Sequence, residues 1–152
     1  MDWRHLAVLI HVLAAFAYVA GYVGTNLCTE VARRAATDED CRTALQFSGH
    51  FDRWLNAPGG TAVGLTGLAA LVVFGYALTT PWVALAIVIF AGIVLLGMFY
   101  WARFGRRVER AMIAGDWAGV RSLLTEPRIV LVSRLENFAL LVVIVLMVLR
   151  PG

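Results

Sequence analysis

The run LAVLIHVLAAFAYVAGYVGTNL, residues 6–27, decides the class of this protein. Its 22 residues include no Asp, Glu, Lys or Arg. At about 1.5 Å per residue a helix of this length crosses the roughly 30 Å hydrocarbon core of a bilayer. One ionisable side chain, His11, lies inside it, and burying such a group in lipid demands a partner, a water or a ligand.

Working outward, three further apolar runs follow at residues 57–78, 82–102 and 129–149. A 152-residue chain that is 61% hydrophobic and 15% charged has more apolar surface than a soluble core of its size hides. The expected fold is therefore all-α: an antiparallel bundle of four transmembrane helices, with short interfacial helices in the two polar loops. No Ser/Gly/Pro-rich linker divides the runs, so residues 1–152 read as one membrane domain. Ala15-Phe16-Ala17 resembles a signal-peptide cleavage site, but the first run is expected to stay as a helix, with Trp3 and Arg4 as interfacial anchors.

The basic balance comes from thirteen arginines and no lysine. Ten of them (Arg33, Arg34, Arg42, Arg53, Arg103, Arg106, Arg107, Arg110, Arg121 and Arg128) fall in the loops after the first and third runs, against Arg4 and Arg150 on the opposite face. The positive-inside rule then puts both polar loops in the cytoplasm and both termini outside. Lipid headgroups account for these arginines, and nucleic acid is not expected as a partner. On this topology Cys28 and Cys41 are reduced thiols.

The remaining features read first as packing. Gly21 and Gly24, Tyr18 and Tyr22, and the glycines of the second run, including Gly60 and Gly64, suit close helix contact. Pro58 opens the second run, as proline does in a helix's first turn. Thr79-Thr80-Pro81 is the turn joining runs two and three, and Trp82 and Tyr100-Trp101 mark the two interfaces of the third. The acids Asp38, Glu39 and Asp40 read as solvated loop rather than as a cation site. Val108, Met112, Ile113 and Trp117, with Arg106, Arg107 and Arg110, describe a helix lying along anionic headgroups. Near the start of the fourth run, Arg134, Glu136 and Asn137 are expected to join His50, Asp52 and Arg53 in a polar cluster pinning the helices.

His11 itself has two readings. One is a hydrogen bond to a hydroxyl or backbone carbonyl of another span, with Thr66 and Tyr76 as candidates; the other is ligation of a haem iron, with Tyr18 near the cofactor. On the expected topology most of the membrane separates His11 from His50, so one haem does not take both. Met98, Met112 and Met147 are scattered, which argues against a copper path.

The spacing His11, Tyr18, Gly21, with Pro58-Gly59, Thr66-Gly67 and the ending Leu146-Met147-Val148-Leu149-Arg150-Pro151-Gly152, resembles a family of predicted four-helix bacterial integral membrane proteins of unknown function. That family is similar to the copper-resistance protein D domain and, more distantly, to HemJ-type protoporphyrinogen oxidases. The resemblance implies haem b at His11. No lysine is present to complete the HemJ-type site, and Tyr18 stands where a tryptophan is usual. No acid, base and nucleophile converge, so the expected role is a non-catalytic accessory or structural subunit packing with other membrane proteins or with itself. Haem-based redox chemistry is the alternative, and copper or small-solute transport a third.

Overall fold

The computed structural model describes residues 2–149, which are helical apart from short connecting turns and contain no strand. Among the described residues, four helices are long and apolar enough to cross a membrane: Trp3–Arg34, Asp38–Phe74, Pro81–Ile113 and Pro127–Leu149. The all-α expectation therefore stands. Arg150, Pro151 and Gly152 of the family-like ending lie outside the described residues. The chain divides into two compact units, Met1–Tyr76 and Ala77–Gly152.

In the first unit, helix α1 (Trp3–Arg34) outlasts its apolar run at both ends. Its 32 residues rise about 48 Å, well beyond a hydrocarbon core. The polar extension is held by Glu30, which pairs with Arg33 at 2.9 Å and Arg34 at 2.7 Å. These are the one-turn spacings at which opposite charges support a helix, and two arginines in the last turn also suit its dipole.

The next segment departs from expectation. Helix α2 (Asp38–Phe51) is not a separate interfacial piece but continues, through a π-helical stretch at Asp52–Asn56, into helix α3 (Ala57–Phe74). Pro58 therefore sits inside a long helix rather than at its start. A proline there lacks an N–H and presses its ring on the carbonyl four residues back. The widened turn just before it, closed by the bond from Ala57 N–H to the Asp52 carbonyl, absorbs that mismatch. Asp38, Glu39 and Asp40 occupy the first turn of α2, where anions face the positive end of the dipole. Thr37 caps it by accepting from Asp40 N–H at 3.1 Å.

Helix α3 stops at Phe74, four residues short of the expected boundary. Gly75 has φ +68°, and Tyr76 N–H reaches back to the Leu71 carbonyl at 3.1 Å while Gly75 N–H reaches Val72 at 3.3 Å. This left-handed glycine cap satisfies carbonyls that the helix end leaves open. Gly75, read from the sequence as a packing glycine, is the stop signal.

In the second unit, α4 (Pro81–Leu96) continues through a π-helical stretch at Gly97–Trp101 into α5 (Ala102–Ile113). Gly115, at φ +71°, and the N-cap Asp116 start the short α6 (Trp117–Thr125), and Pro127 opens α7 (Pro127–Leu149). Val83, Ala86 and Ile93 of α4 and Ile129, Leu140 and Val143 of α7 are buried, as are Phe104 and Val108 of α5 and Val120 and Leu124 of α6. Trp82, expected as an interfacial anchor, is buried in this unit. Large apolar side chains such as Phe16, Leu65, Val72, Val88 and Phe138 stay exposed, as lipid-facing surfaces require.

Candidate functional site

The motif residues of the first unit meet along one seam between α1 and α3. On α1, His11, Tyr18, Thr25 and Ala32 recur every seven residues, with Ala14, Gly21 and Cys28 between them on the same face. A seven-residue recurrence keeps one face of a helix toward a neighbour with only about 20° of drift per repeat. On α3, Gly59 and Thr66, and Gly60 and Gly67, share the same spacing.

The two helices approach so closely that side chains are excluded at the crossing. A Cβ placed on Gly59 would lie 2.8 Å from Tyr18 Cα, and one on Gly21 would lie 2.6 Å from Leu55 Cβ. Gly24 receives the ring of Phe51 and Gly60 that of Tyr18. Small residues bring helices this close in lipid, where dispersion contacts rather than water exclusion hold them together. Tyr18 is buried, and its ring stands 6.2 Å from that of Tyr22.

His11 sits at the far end of this seam. Its imidazole lies over Gly67, where a Cβ would come 3.2 Å from Cε1, and its Nδ1 is 2.9 Å from Thr66 Oγ1. The Thr66 hydroxyl has one proton, and it donates that proton to the Ala62 carbonyl at 2.6 Å. With the hydroxyl proton on that carbonyl, His11 is the donor: Nδ1 carries the proton and Nε2 keeps a lone pair. Among the described residues Nε2 has no hydrogen-bond partner, and the side chain is only half-buried.

His50 is exposed and engages the Gln46 carbonyl of its own helix at 2.8 Å. Sixteen residues separate it from Thr66, about 24 Å of helix, so the two histidines stand at different levels of the unit. Asp52 accepts from Asn56 Nδ2 at 2.7 Å, one turn on, and Arg53 is exposed. A small hydroxyl group lies between α1 and α2: Thr29 and Ser48 both donate to the Thr25 carbonyl, at 2.8 and 3.2 Å. Past the apolar run, Arg33 and Arg34 hold the Glu30 carboxyl below the usual carboxylate range. Cys41 is fully buried and Cys28 half-buried, both as thiols.

The other members of the expected polar cluster belong to the second unit. Glu136 is buried at 7% exposure and accepts from the indole N–H of Trp101 at 2.5 Å. Trp101 is braced edge-on by Tyr100 and Phe104, with ring centroids at 5.2 and 5.7 Å. Arg134 and Asn137 are exposed. The tryptophan read as an interface marker is thus also the acid's partner, a pairing across 35 residues that no sequence spacing signals. Among the described residues no three His, Cys, Asp or Glu side chains gather as a metal site.

A helical chain with four membrane-length spans and a glycine-lined helix crossing is a polytopic integral membrane protein. The comparison with protein families agrees: residues 5–151 match the family described as predicted integral membrane protein (DUF2269), and the chain belongs to it. No curated protein and no solved structure matches it.

Proposed function

We propose that this chain is a non-catalytic membrane module, an accessory or structural subunit that packs with partner membrane proteins or with a second copy of itself. The observation that carries the reading is His11. Its Nδ1–H is consumed by Thr66, while Nε2 remains an acceptor on a half-buried side chain in an apolar span. Hydrocarbon offers no donor, so a neighbouring protein group is the economical complement. Tyr18, Gly21, Gly59 and Gly67 are committed to holding α1 on α3, which leaves them a scaffolding role. Purification in mild detergent tests this: a stoichiometric partner or a homo-oligomer is expected, and a lone monomer carrying a chromophore overturns it.

The second reading is haem b, favoured by the same tautomer, because an unprotonated Nε2 is the form in which imidazole ligates iron. Orienting the ring through Nδ1 is also how metal-bound histidines are commonly held. His11 would hold the group, which would supply one-electron chemistry. A Soret band lost in His11→Ala, with the fold retained, selects this reading over the first.

For topology, the ten loop arginines support an arrangement with the polar segments in the cytoplasm and the termini outside, in the bacterial inner membrane. In intact spheroplasts Cys28 should resist a membrane-impermeant maleimide and react once the membrane is opened. Labelling from outside inverts the assignment.

A further inference from the structure

The second unit carries a groove at the polar end of the helix Pro81–Ile113, lined by Phe99, Tyr100, Arg103, Arg106, Arg107 and Arg110. Its volume is about 600 Å³. Four guanidinium groups line it and no carboxylate does. None of the four arginines forms an ion pair with a described residue: Arg110 Nε–H donates to the Arg106 carbonyl at 3.1 Å, and Arg107 stands 5.8 Å from the Phe104 ring centre. Four like charges within two helical turns repel one another unless an anion lies among them.

The lining is also polarised along the helix. Phe99 and Tyr100 belong to the π-helical stretch that follows the apolar run of α4, and Phe99 is exposed. The arginines succeed them over the next two turns, in α5. A ligand filling this groove is therefore apolar on the side of the span and anionic beyond it. We propose that the groove is a binding site for an anionic phospholipid, its phosphate held by Arg103, Arg106, Arg107 and Arg110 and the start of its acyl chains lying on Phe99 and Tyr100. Guanidinium forks match phosphate oxygens in paired hydrogen bonds, and basic pockets beside membrane helices suit such headgroups. Free phosphate shares the headgroup chemistry but makes no use of the aromatic end.

The test uses the full chain purified in dodecyl maltoside, with binding read by native mass spectrometry. Dioleoyl phosphatidylglycerol is expected to bind, while dioleoyl phosphatidylcholine and inorganic phosphate at equal concentration are not. Arg103→Gln/Arg107→Gln should weaken phosphatidylglycerol binding about twenty-five-fold, from roughly five-fold per arginine near a headgroup. These residues are exposed, so the helix content by circular dichroism should not change. The control Arg42→Gln/Arg128→Gln removes equal charge outside the groove and should leave binding within about two-fold. The proposal is overturned by equal binding of phosphatidylcholine, by phosphate binding as well as the lipid, or by the two double variants losing affinity alike.

Discussion

Gly59 lies against the backbone of Tyr18, with no room for a side chain between them: a Cβ on Gly59 would fall 2.8 Å from Tyr18 Cα and 2.9 Å from its N. Backbone atoms have nowhere to go, so this contact sets the spacing of α1 and α3. Gly21 makes the reciprocal approach to Leu55 and Asn56. The π-helical stretch at Asp52–Asn56 includes those two residues. The irregular turn that accommodates Pro58 therefore also lies at the crossing.

Alanine substitutions along the seam should form a ranked series. Gly59→Ala and Gly21→Ala force backbone apart and should each cost about 2–3 kcal/mol, at the upper end of overpacking penalties. Gly67→Ala meets only the edge of the His11 ring, at 3.2 Å, and should cost less than half as much. Gly92→Ala meets nothing within 4 Å and should be neutral or stabilising, since alanine is the better helix former. Thermal unfolding in detergent reads the order, and a Gly92→Ala as damaging as Gly59→Ala would refute the seam.

Thr66→Val keeps the shape at position 66 but removes the acceptor for His11 Nδ1–H. A loss of about 1 kcal/mol is expected, typical of an interhelical hydrogen bond in a membrane protein. The discriminating readout is nuclear magnetic resonance of a ¹⁵N-histidine sample. Wild type should show the Nδ1-protonated tautomer, and Thr66→Val should shift the population toward Nε2–H. A wild-type spectrum already dominated by Nε2–H would contradict the assigned proton.

The Trp101–Glu136 pair gives a test in the second unit. Glu136→Gln retains a side-chain oxygen for the indole N–H and should change stability by less than about 1 kcal/mol, whereas Glu136→Ala leaves that donor and a void and should cost about 2–3 kcal/mol. Trp101 fluorescence should shift in the alanine variant and hardly at all in the glutamine one. Equal effects of the two substitutions would mean the hydrogen bond contributes nothing.

Gly75 tests how α3 ends. At φ +68° an alanine is strained, and Gly75→Ala should cost about 1–2 kcal/mol although nothing lies within 4 Å of the site. Gly105→Ala, equally uncrowded but inside α5, should not be destabilising. Unfolding midpoints of the two variants separate a backbone effect from a packing one.

Thiol reactivity offers a probe of the first unit. Cys41 is wholly buried and Cys28 half-buried, so maleimide in detergent should modify Cys28 first and Cys41 only after unfolding. Mass spectrometry after timed labelling gives the order directly.

Much of this protein was legible before any coordinates. Apolar run length depends only on local sequence and the thickness of a bilayer, so four spans and an all-α chain followed from the residues alone, whereas for His11 the residues left a hydrogen bond and haem ligation both open. Boundaries were less accessible. That α2 continues through Asp52–Asn56 into α3, and that Gly75 ends the helix, depend on how a proline and a glycine were accommodated, and composition is silent on that choice.

What only the tertiary structure decided is which distant residues meet. His11 with Thr66, Tyr18 with Gly59, Trp101 with Glu136 and the four arginines of the groove each depend on helix rotation or on pairing across many residues. The spacing of His11, Tyr18 and Gly21 was visible in the sequence, yet its meaning as one face of a seven-residue repeat emerged only with α3 laid against it. Periodicity fixes a face; the partner's position in space fixes what that face does.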